Sequence, residues 1–450
     1  MASRPSRAPL SARTLAAGVV GRVVREGAYV SLALGSALSR TGLSPSDKGF
    51  ATELVYGTLR HLHALDDAIQ QAANRPLKKL DEPTLDLLRI AAYEALRLGT
   101  PDHALVNEAV NHAKRIRGEP GGRFVNGVLR GMLRLRDSGA LLPSSEKGVP
   151  GLVARYGLPT WLAHDVLTRL GPDEAEKFGA ASLAKQAVHL CVPGGATARD
   201  DVLQQLKQAG VEAAAHPLTE TGVVLQGSPG AIEELAVVQE GRAMVQNAAS
   251  QVVAGWALQV AQRRENARVL DMCAAPGGKS AILLARGQRV ISGDIHVDKL
   301  HLAQRQWKRQ GLHALAVSQD AAQPPFVEAC ADVILLDAPC TGTGLLARRP
   351  EIRLRRQEAD VQRLVELQAR LLEASARLLK PGGTLIYSVC SVSTAEGPAQ
   401  VKSFLSAHPG FALGTPPGTP ADTLEDGMLA LWPHRHDVDG FFAARLDKRG

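Results

Sequence analysis

Two cysteines of this 450-residue chain stand where apolar strands of the sequence end, and a thiol in that position can do chemistry. Cys340 follows the run VILLDAP, and Cys390 follows the run LIYSV. Taken alone, each fits a small packing residue, because free cysteine behaves as a small hydrophobic group. A thiol held over an active site is instead a nucleophile. Two thiols at the same edge of one sheet favour the second interpretation.

A glycine-rich turn with the sequence CAAPGGKS links another apolar strand, ARVLDM, to a helix. Glycines let the backbone approach a ligand closely, and the first amides of a helix have no partner within the helix. A P-loop requires a glycine where Cys273 stands, and the dinucleotide-binding pattern G-x-G-x-x-G is absent. The turn therefore predicts a site for a nucleoside-type cofactor.

Three aspartates close the strands that follow this turn. Asp294 comes about 20 residues later, where a carboxylate can accept both hydroxyls of a ribose. Asp320 closes the next strand and is placed to accept from an exocyclic amine, and Asp337 closes the strand before Cys340. Each aspartate alone is typical of a turn or a helix cap. Three in succession at strand ends favour a ligand site.

Methylation at carbon 5 of a cytosine needs this set of groups. That carbon takes a methyl group from a sulfonium only after a thiolate has added at carbon 6. A carboxyl group near N3 and the exocyclic amine stabilises the charge that develops, and a base then removes the proton at carbon 5. One nucleophilic cysteine, one aspartate at the ring edge and one assisting thiol are a sufficient set.

The elements that position these residues change along the chain. From about residue 251, apolar strands alternate with helices, which predicts a parallel sheet covered on both faces, with ligands at the carboxyl ends of its strands. The first 140 residues keep apolar residues at helical spacing, with a turn at RGEPGGRF. Helices and strand-like runs in between predict a small α+β module. The predicted domains are residues 1–140, 141–250 and 251–450.

Positive charge is concentrated in the first predicted domain, which holds 20 Lys and Arg against 13 Asp and Glu. This difference accounts for the whole formal net charge of +7. A localised basic face indicates a polyanion partner, although a solvated helix surface has the same composition. A second basic run, LLARRPEIRLRRQ, follows Cys340 and suggests a phosphate clamp or an exposed helix start. The candidate RNA-contacting residues are Lys114, Arg115, Arg117, Arg123, Arg348 and Arg349.

Composition and cysteine count limit the class of protein. The chain is 45% hydrophobic and 22% charged, and it has no apolar run of about 18 residues, so no membrane partner is expected. Its five cysteines lack metal-ligand spacing, so we expect no metal and a reducing, cytoplasmic location. The basic stretch 1–27 predicts the start of a helix and no signal peptide. We expect a monomer.

Two stretches carry a resemblance to known families. HALVNEAVNHAKRIRGEPGGRFVNGVLRGML resembles the NusB-like RNA-binding domain. The region from about residue 230 resembles the RNA cytosine-5 methyltransferases that use S-adenosylmethionine, through the ordered motifs VQNAASQ, DMCAAPGGKS, GDIHVDKL, VSQD, LLDAPCTGTG, PGGTLIYSVCSV and DGFFAARL. The resemblance implies an α/β Rossmann-like class I methyltransferase domain, preceded by an all-α NusB-like bundle and the small α+β linker module.

The resemblance also implies roles for individual residues. Cys390 takes the place of the nucleophile, Cys340 that of the product-release cysteine, and Asp337 that of the substrate-facing acid, which also borders the cofactor. Asp294 matches the ribose-binding acid and Asp320 the adenine-side acid. The cofactor loop falls on Cys273, Ala274, Ala275, Pro276, Gly277, Gly278 and Lys279.

The two halves together resemble family members that methylate small-subunit (16S) rRNA, which implies an rRNA substrate that is unassembled or an early precursor. DNA cytosine-5 methyltransferases are a poorer match, because they attack with a Pro-Cys cysteine and carry Glu-Asn-Val where this chain has YSVCS. The family usually has threonine where this chain has Val389, so a hydroxyl beside Cys390 is missing. Two alternatives stay open: the same chemistry on tRNA or another RNA, and a non-enzymatic RNA-binding or antitermination factor.

Overall fold

The computed structural model describes residues 11–73, 75–141, 144–227, 230–416 and 418–450. These residues form two compact units. The helical unit extends to Ala184 and also includes Leu346–Arg356. The sheet unit comprises Lys185–Leu345 and Gln357–Gly450. The first ten residues of the predicted N-terminal helix lie outside the described residues, and the first helix begins at Ala12.

The helical unit is built from amphipathic helices, as the spacing of apolar residues predicts. Several begin at a side-chain cap: Ser11 accepts from the amide of Thr14, and Asp81 accepts from the amide of Thr84. A 3₁₀ turn at Leu77–Lys79 and a π turn at Glu94–Leu98 flank the fifth helix. The helices are α1 Ala12–Glu26, α2 Val30–Ser39, α3 Pro45–Arg60, α4 Leu62–Ala72, α5 Glu82–Tyr93, α6 Asp102–Asp137, α7 Gly148–Tyr156, α8 Thr160–Leu170 and α9 Pro172–Leu183.

The turn predicted at RGEPGGRF is a sharp kink in α6. Gly118 has φ 66° and ψ −169°, a conformation that L-residues with a side chain rarely adopt. Pro120 follows two residues later and cannot donate to the preceding turn. The kink divides the long helix into two segments, and the basic residues predicted to contact RNA lie on both sides of it.

A small antiparallel sheet begins the sheet unit. Its strands are β1 Val188–Cys191, β2 Ala213–Ala215, β3 Gly222–Leu225 and β4 Met244–Val245, in the order β2-β3-β1-β4. Helices α10 Ala196–Gln208 and α11 Ala236–Gln239 accompany it. The segment predicted as one module, residues 141–250, thus contributes helices α7–α9 to the helical unit and this sheet to the sheet unit. The predicted three-domain division stays a prediction.

The large sheet carries the predicted alternation of strands and helices. Five strands run parallel in the order β9-β8-β5-β6-β7, with helices packed on both faces, which confirms the Rossmann-like fold. The strands are β5 Arg268–Asp271, β6 Arg289–Asp294, β7 Leu315–Ser318, β8 Ala331–Asp337 and β9 Leu379–Val389. The helices are α12 Ala248–Gln262, α13 Gly278–Ala285, α14 Val297–Arg309, α15 Ile352–Arg355 (in the helical unit), α16 Glu358–Leu378, α17 Pro398–Ala407 and α18 Pro433–His436.

The sheet as a whole is mixed, because the C-terminal strands extend its parallel part in antiparallel fashion. The final strand pairs antiparallel with β9 and continues the sheet through two further strands. These strands are β10 Phe411–Leu413, β11 Leu424–Glu425, β12 Met428–Leu431 and β13 Phe441–Lys448. They follow Cys390 in sequence, so their addition leaves the carboxyl ends of the parallel strands unchanged.

Candidate active site

The two predicted thiols meet at the carboxyl ends of adjacent strands. β8 and β9 pair in parallel with Asp337 opposite Ser388, so the loops that follow them leave the sheet side by side. Cys340 lies in the first loop and Cys390 directly follows β9. Their Sγ atoms are 3.4 Å apart. The structure therefore brings together two residues that are fifty positions apart in sequence.

The environment of Cys340 favours its protonated form. The hydrogen bond with Cys390, followed by burial, raises the pKa of the Cys340 thiol well above its ordinary value. Cys340 therefore keeps its proton at neutral pH and can donate it towards the Sγ of Cys390.

Asp337 is held in a fixed orientation by two side chains. Its Oδ1 accepts from the hydroxyl of Ser388 at 2.8 Å, and its Oδ2 accepts from Nζ of Lys279 at 2.5 Å. The lysine ammonium also lies 5.5 Å from the centre of the Phe441 ring. A charge-assisted pair with little exposure holds its geometry well. The cofactor loop is thus linked directly to the acid predicted to face the substrate.

The glycine-rich loop encloses a cavity of about 140 Å³. Beneath it, Asp271 ends β5 and is buried, with one carboxylate oxygen accepting from Ser280 at 2.6 Å. Among the described residues its other oxygen, Oδ1, has no hydrogen-bond partner. Burial raises the pKa of Asp271 to about 7. The cavity is lined by Met244, Val245, Gln246, Ser250, Asp271, Cys273, Ala274, Ala275, Pro276, Gly278, Lys279, Gln306 and Asp337.

Gly277 is the loop position where a side chain does not fit. Its φ is 94°, and a Cβ there would lie 2.7 Å from the Cβ of Ala303 and 2.8 Å from the ring of Trp307. The indole of Trp307 donates to the carbonyl of Gly277 at 2.9 Å, which holds the loop against α14. Gly277 is absent from the residues that line the cavity, and its conformation shapes the loop whose neighbouring residues do line it.

The two remaining predicted acids differ in their surroundings. Asp294 is buried, and its two oxygens accept from the amides of Ala275 at 3.0 Å and His296 at 2.8 Å. Each oxygen keeps a free lone pair, which fits acceptance from two hydroxyls. Asp320 is exposed and accepts from the amide of Ala322 within its own turn at 2.9 Å. Of these two acids, Asp294 is the one that bonds to the predicted cofactor loop within the described residues.

The residues present fit S-adenosylmethionine, the cofactor implied by the resemblance. The orphaned Oδ1 of Asp271 is a buried acceptor at the floor of the cavity, and such an atom needs a polar partner. The amides at the start of α13 and the carboxylate of Asp294 add a donor set and an acceptor at the loop.

The predicted RNA-contacting residues all belong to the helical unit. Lys114, Arg115, Arg117 and Arg123 are exposed on α6. Lys114 pairs with Glu119 at 3.1 Å and Arg117 with Asp81 at 3.2 Å, both at the surface. Within the described part of the chain, Arg115 and Arg123 have no carboxylate partner. Arg349 is exposed and Arg348 half-buried in residues 346–356.

Two other arginines of that run anchor it inside the helical unit. The buried guanidinium of Arg353 donates to the carbonyl of Ser182 at 2.7 Å, to its hydroxyl at 2.8 Å and to the carbonyl of Leu346 at 2.7 Å. It also reaches the carbonyl of Tyr156 at 3.2 Å. Arg355 donates to the carbonyl of Gly27. The basic run therefore mixes buried anchors with the exposed candidates.

Sequence reasoning missed three polar residues of this site: Asp271, Ser388 and Gln246. Asp271 ends its strand as Asp294 and Asp337 do, so the same signal was available, whereas Asp320 lies two residues beyond the end of β7. Ser388 lies opposite Asp337 in register and lacked a signal of its own. Gln246 borders the cavity, and its buried Oε1 has no partner among the described residues. It belongs to the VQN motif, which gave its only signal.

No helix among the described residues is both long enough and apolar enough to cross a membrane. Within the same residues, no three His, Cys, Asp or Glu side chains group as metal ligands.

Comparisons with known proteins cover almost the whole chain. Three family models match: the 16S rRNA methyltransferase RsmB/F over residues 258–447, the NusB family over residues 10–134, and the ferredoxin-like domain of RsmF/B-like methyltransferases over residues 158–232. Among solved structures, the crystal structure of PH0851 is 26% identical with a TM-score of 0.77, and 99% of this chain and 100% of that one are covered. A methyltransferase homologue from Pyrococcus horikoshii is 25% identical with a TM-score of 0.56, over 67% of this chain and 98% of that one.

Curated relatives give the same result over the full length. The probable ribosomal RNA small subunit methyltransferase B of Synechocystis is 34% identical over 98% of this chain and 100% of its own. The protein described in the same words from Bacillus subtilis is 33% identical over 98% and 99%. The ribosomal RNA small subunit methyltransferase B of Vibrio vulnificus is 31% identical over 98% and 100%. With this identity along nearly its entire length, the chain belongs to the RsmB/F family of 16S rRNA methyltransferases.

Proposed function

We propose that this chain transfers a methyl group from S-adenosylmethionine to carbon 5 of a cytosine in 16S rRNA, through a covalent bond between Cys390 and carbon 6 of the base. The observation that carries the proposal is the pair of thiols 3.4 Å apart at the ends of β8 and β9. A packing role for one strand-end cysteine is ordinary. Two such thiols in contact beside the hydrogen-bonded Asp337 match the set that cytosine methylation requires.

Each step of this reaction is assigned to a residue of the site. When bound, S-adenosylmethionine supplies an electrophilic methyl group. The Cys390 thiolate forms a bond to carbon 6, which makes carbon 5 nucleophilic. Asp337, oriented by Lys279 and Ser388, stabilises charge at the N3 edge of the ring. After carbon 5 has gained its methyl group, the Cys340 thiol first loses its own proton to solvent. The resulting thiolate takes the proton from carbon 5, the ring double bond re-forms and the bond to Cys390 breaks, which leaves Cys390 as a thiolate.

The cofactor and RNA are assigned to separate parts of the chain. Residues 273–279, Asp294 and Asp320 hold the cofactor, and the orphaned oxygen of Asp271 supports this assignment. The basic residues of α6, with Arg348 and Arg349, contact phosphates of rRNA that is not yet assembled with ribosomal proteins. The target base leaves its stack to reach Cys390, because the reaction needs both ring faces. We propose that the protein acts as a monomer with the three domains predicted from its sequence.

The test compares wild type with Cys390→Ala, Cys340→Ala and Cys330→Ala. Cys330 is the matched control, because it is a free cysteine that directly precedes β8 at the opposite end of that strand. Each protein is incubated with protein-free 16S rRNA and methyl-labelled S-adenosylmethionine, and products are separated on denaturing gels. Wild type and Cys330→Ala should label the RNA, Cys390→Ala should not, and Cys340→Ala should accumulate a covalent protein–RNA band.

Three results would count against parts of the proposal. Label transfer by Cys390→Ala at the wild-type rate would show that this cysteine is a packing residue. A covalent band in Cys390→Ala, with none in Cys340→Ala, would exchange the two roles. Labelling of tRNA, with none of 16S rRNA, would keep the chemistry and replace the substrate.

A further inference from the structure

Glu396 is a buried acid that the mechanism above does not use. It lies in the loop after β9, six residues beyond Cys390, and is completely shielded from solvent. A buried carboxylate is costly unless every lone pair finds a donor. The donors that Glu396 finds belong to both of the loops that carry the cysteines, here called the first cysteine loop (residues 338–345) and the second cysteine loop (residues 390–397).

The hydroxyl groups that donate to Glu396 belong to the residues that directly follow each cysteine. Thr341, next to Cys340, donates its hydroxyl to Oε2 at 2.5 Å and its amide to Oε1 at 2.8 Å. Ser391, next to Cys390, donates its hydroxyl to the same Oε2 at 2.6 Å. Both residues are completely buried. One carboxylate thus links the two cysteine loops, and in each loop the residue that it binds is the direct neighbour of the cysteine.

Two further residues, Gln368 and Thr343, complete the network. The amide group of Gln368, on α16, donates to Oε1 of Glu396 at 3.2 Å and to the carbonyl of Pro339, just before Cys340, at 2.9 Å. Thr343 of the first loop bonds to the Ser391 hydroxyl at 2.9 Å and accepts from the amide of Val392 at 3.0 Å. The four donors to Glu396 fill the acceptor positions of an ionised carboxylate.

We propose that Glu396 is a positioning residue that sets the distance between Cys340 and Cys390. This inference rests on the proposed function, since it concerns the same two thiols. Glu396 is bonded to Thr341 and Ser391, the residues next to the two cysteines, and it positions the thiols through them. The step most sensitive to the spacing of the two thiols is release of the methylated base, in which Cys340 takes a proton while Cys390 leaves. Geometry must be held to a fraction of an ångström for such a step.

Glu396→Ala tests the proposal by removing all four contacts. Misplacing reacting groups by about 1 Å lowers rates by about 100-fold, so we expect kcat to fall by that order. KM for RNA and affinity for S-adenosylmethionine should stay at the wild-type values, because Glu396 is absent from the residues that line the cofactor cavity. The covalent protein–RNA band should accumulate as it does in Cys340→Ala.

Glu396→Gln is the conservative variant. An amide oxygen still accepts from Thr341 and Gln368, and its NH₂ group can donate to the two hydroxyls, which are also acceptors. It should therefore restore activity to within about tenfold of wild type, with little covalent band. Thr341→Val, which removes one donor and keeps the side-chain shape, provides a second test should Glu396→Ala fail to fold. It should shift the ratio of adduct to product in the same direction by a smaller factor.

Asp332→Asn is the matched control for lost stability. Asp332 accepts from the amide of Arg268 at 2.9 Å and from Lys380 at 2.8 Å, at the opposite end of β8 from Cys340. It should lower the melting temperature without changing the ratio of adduct to product. A Glu396→Ala protein that behaves like this control would overturn the inference, as would a Thr341→Val protein with the wild-type ratio. If instead wild type forms no 5-methylcytosine, or Cys340→Ala forms no adduct, the proposed function itself fails.

Discussion

The acids and thiols of the site are oriented by neighbours that lie far away in sequence. Asp337 accepts one hydrogen bond from Lys279 of the glycine-rich loop and one from Ser388 of β9, and Cys340 contacts Cys390, which directly follows β9. The parallel pairing of β8 with β9 creates both arrangements. Each group is therefore fixed relative to its neighbours before any ligand binds, which is what an electrostatic role in catalysis requires.

The raised pKa of Cys340 predicts a pH-dependent release step. In the adduct the Cys390 sulfur is bonded to the cytosine base, and burial still raises the pKa of Cys340. As a base, Cys340 must first lose its own proton, and at pH values below its pKa the thiolate fraction grows roughly tenfold with each pH unit. Decay of the covalent adduct should therefore speed up between about pH 6.5 and about pH 8.5. Rapid-quench measurements of adduct against time give this rate. A pH-independent decay would remove Cys340 as the base.

Asp271 predicts an effect of pH on stability. Its carboxyl titrates near 3.8 when unfolded and at about 7 when folded, so the unfolded state binds fewer protons between these values. The free energy of unfolding of the sheet unit should fall as pH rises through this window. Asp271→Asn should remove about 4 kcal/mol of that decline across the whole window, in denaturant titrations at several pH values.

The matched control for that experiment is Asp426→Asn. Asp426 is exposed and pairs with Lys402 at the surface, where ion pairs contribute little. Its pH dependence should follow the wild type. An Asp271→Asn protein with the wild-type slope would contradict the prediction.

At the scale of elements, α15 and its flanking residues 346–356 behave as part of the helical unit although they follow the first cysteine loop in sequence. The guanidinium of Arg353 bonds to three backbone carbonyls and one hydroxyl. Loss of this arginine is strongly destabilising, because the four acceptors that it binds are then left without donors.

Arg353→Met and Arg349→Met separate the structural arginine from the exposed one. Arg353→Met should lower the free energy of unfolding of the helical unit by about 2 to 4 kcal/mol. Arg349→Met should change it by less than about 0.5 kcal/mol and should weaken RNA binding. Denaturant unfolding followed by circular dichroism, together with filter binding, measures both. Equal stability of the two variants would show that the Arg353 contacts contribute nothing.

The sequence predicted the positions of helices and strands better than the hydrogen-bond partners of the side chains that they carry. Strand and helix alternation placed Cys340, Cys390, Asp294 and Asp337 at strand ends, because apolar runs mark buried strands and the polar residue after each run marks its end. It did not predict that Arg353 is buried, since charged residues are usually exposed and its acceptors come from Tyr156 and Ser182. The Glu396 network was not predicted for the same reason, because hydrogen bonds between two loops produce no local pattern in the sequence.

At the scale of the whole molecule, the uneven charge predicts how RNA binding responds to salt. Arg115 and Arg123 are exposed on α6, and replacing both by glutamine should weaken binding to 16S rRNA about tenfold at roughly 0.1 M salt. The slope of log affinity against log salt should fall by about 1 to 2. Fluorescence anisotropy at several salt concentrations measures both quantities.

The double variant Lys177→Gln/Lys207→Gln removes the same charge from exposed positions on α9 and α10. It should keep the wild-type salt slope. An equal loss of RNA affinity in the two double variants would mean that net charge alone governs binding. The basic residues of α6 would then have no specific role in binding RNA.

Because the chain is synthesised from its N-terminus, residues 346–356 join the helical unit late. The carbonyls of Tyr156 and Ser182 leave the ribosome early, whereas the guanidinium that binds them is made only after most of the sheet unit's parallel strands. At a synthesis rate of roughly 5–20 residues per second, many seconds pass between synthesis of Ser182 and synthesis of Arg353, the last residue needed to complete these contacts. A nascent chain stalled before Arg353 therefore carries a helical unit with unsatisfied acceptors, and the unit reaches its final stability only once the first cysteine loop exists.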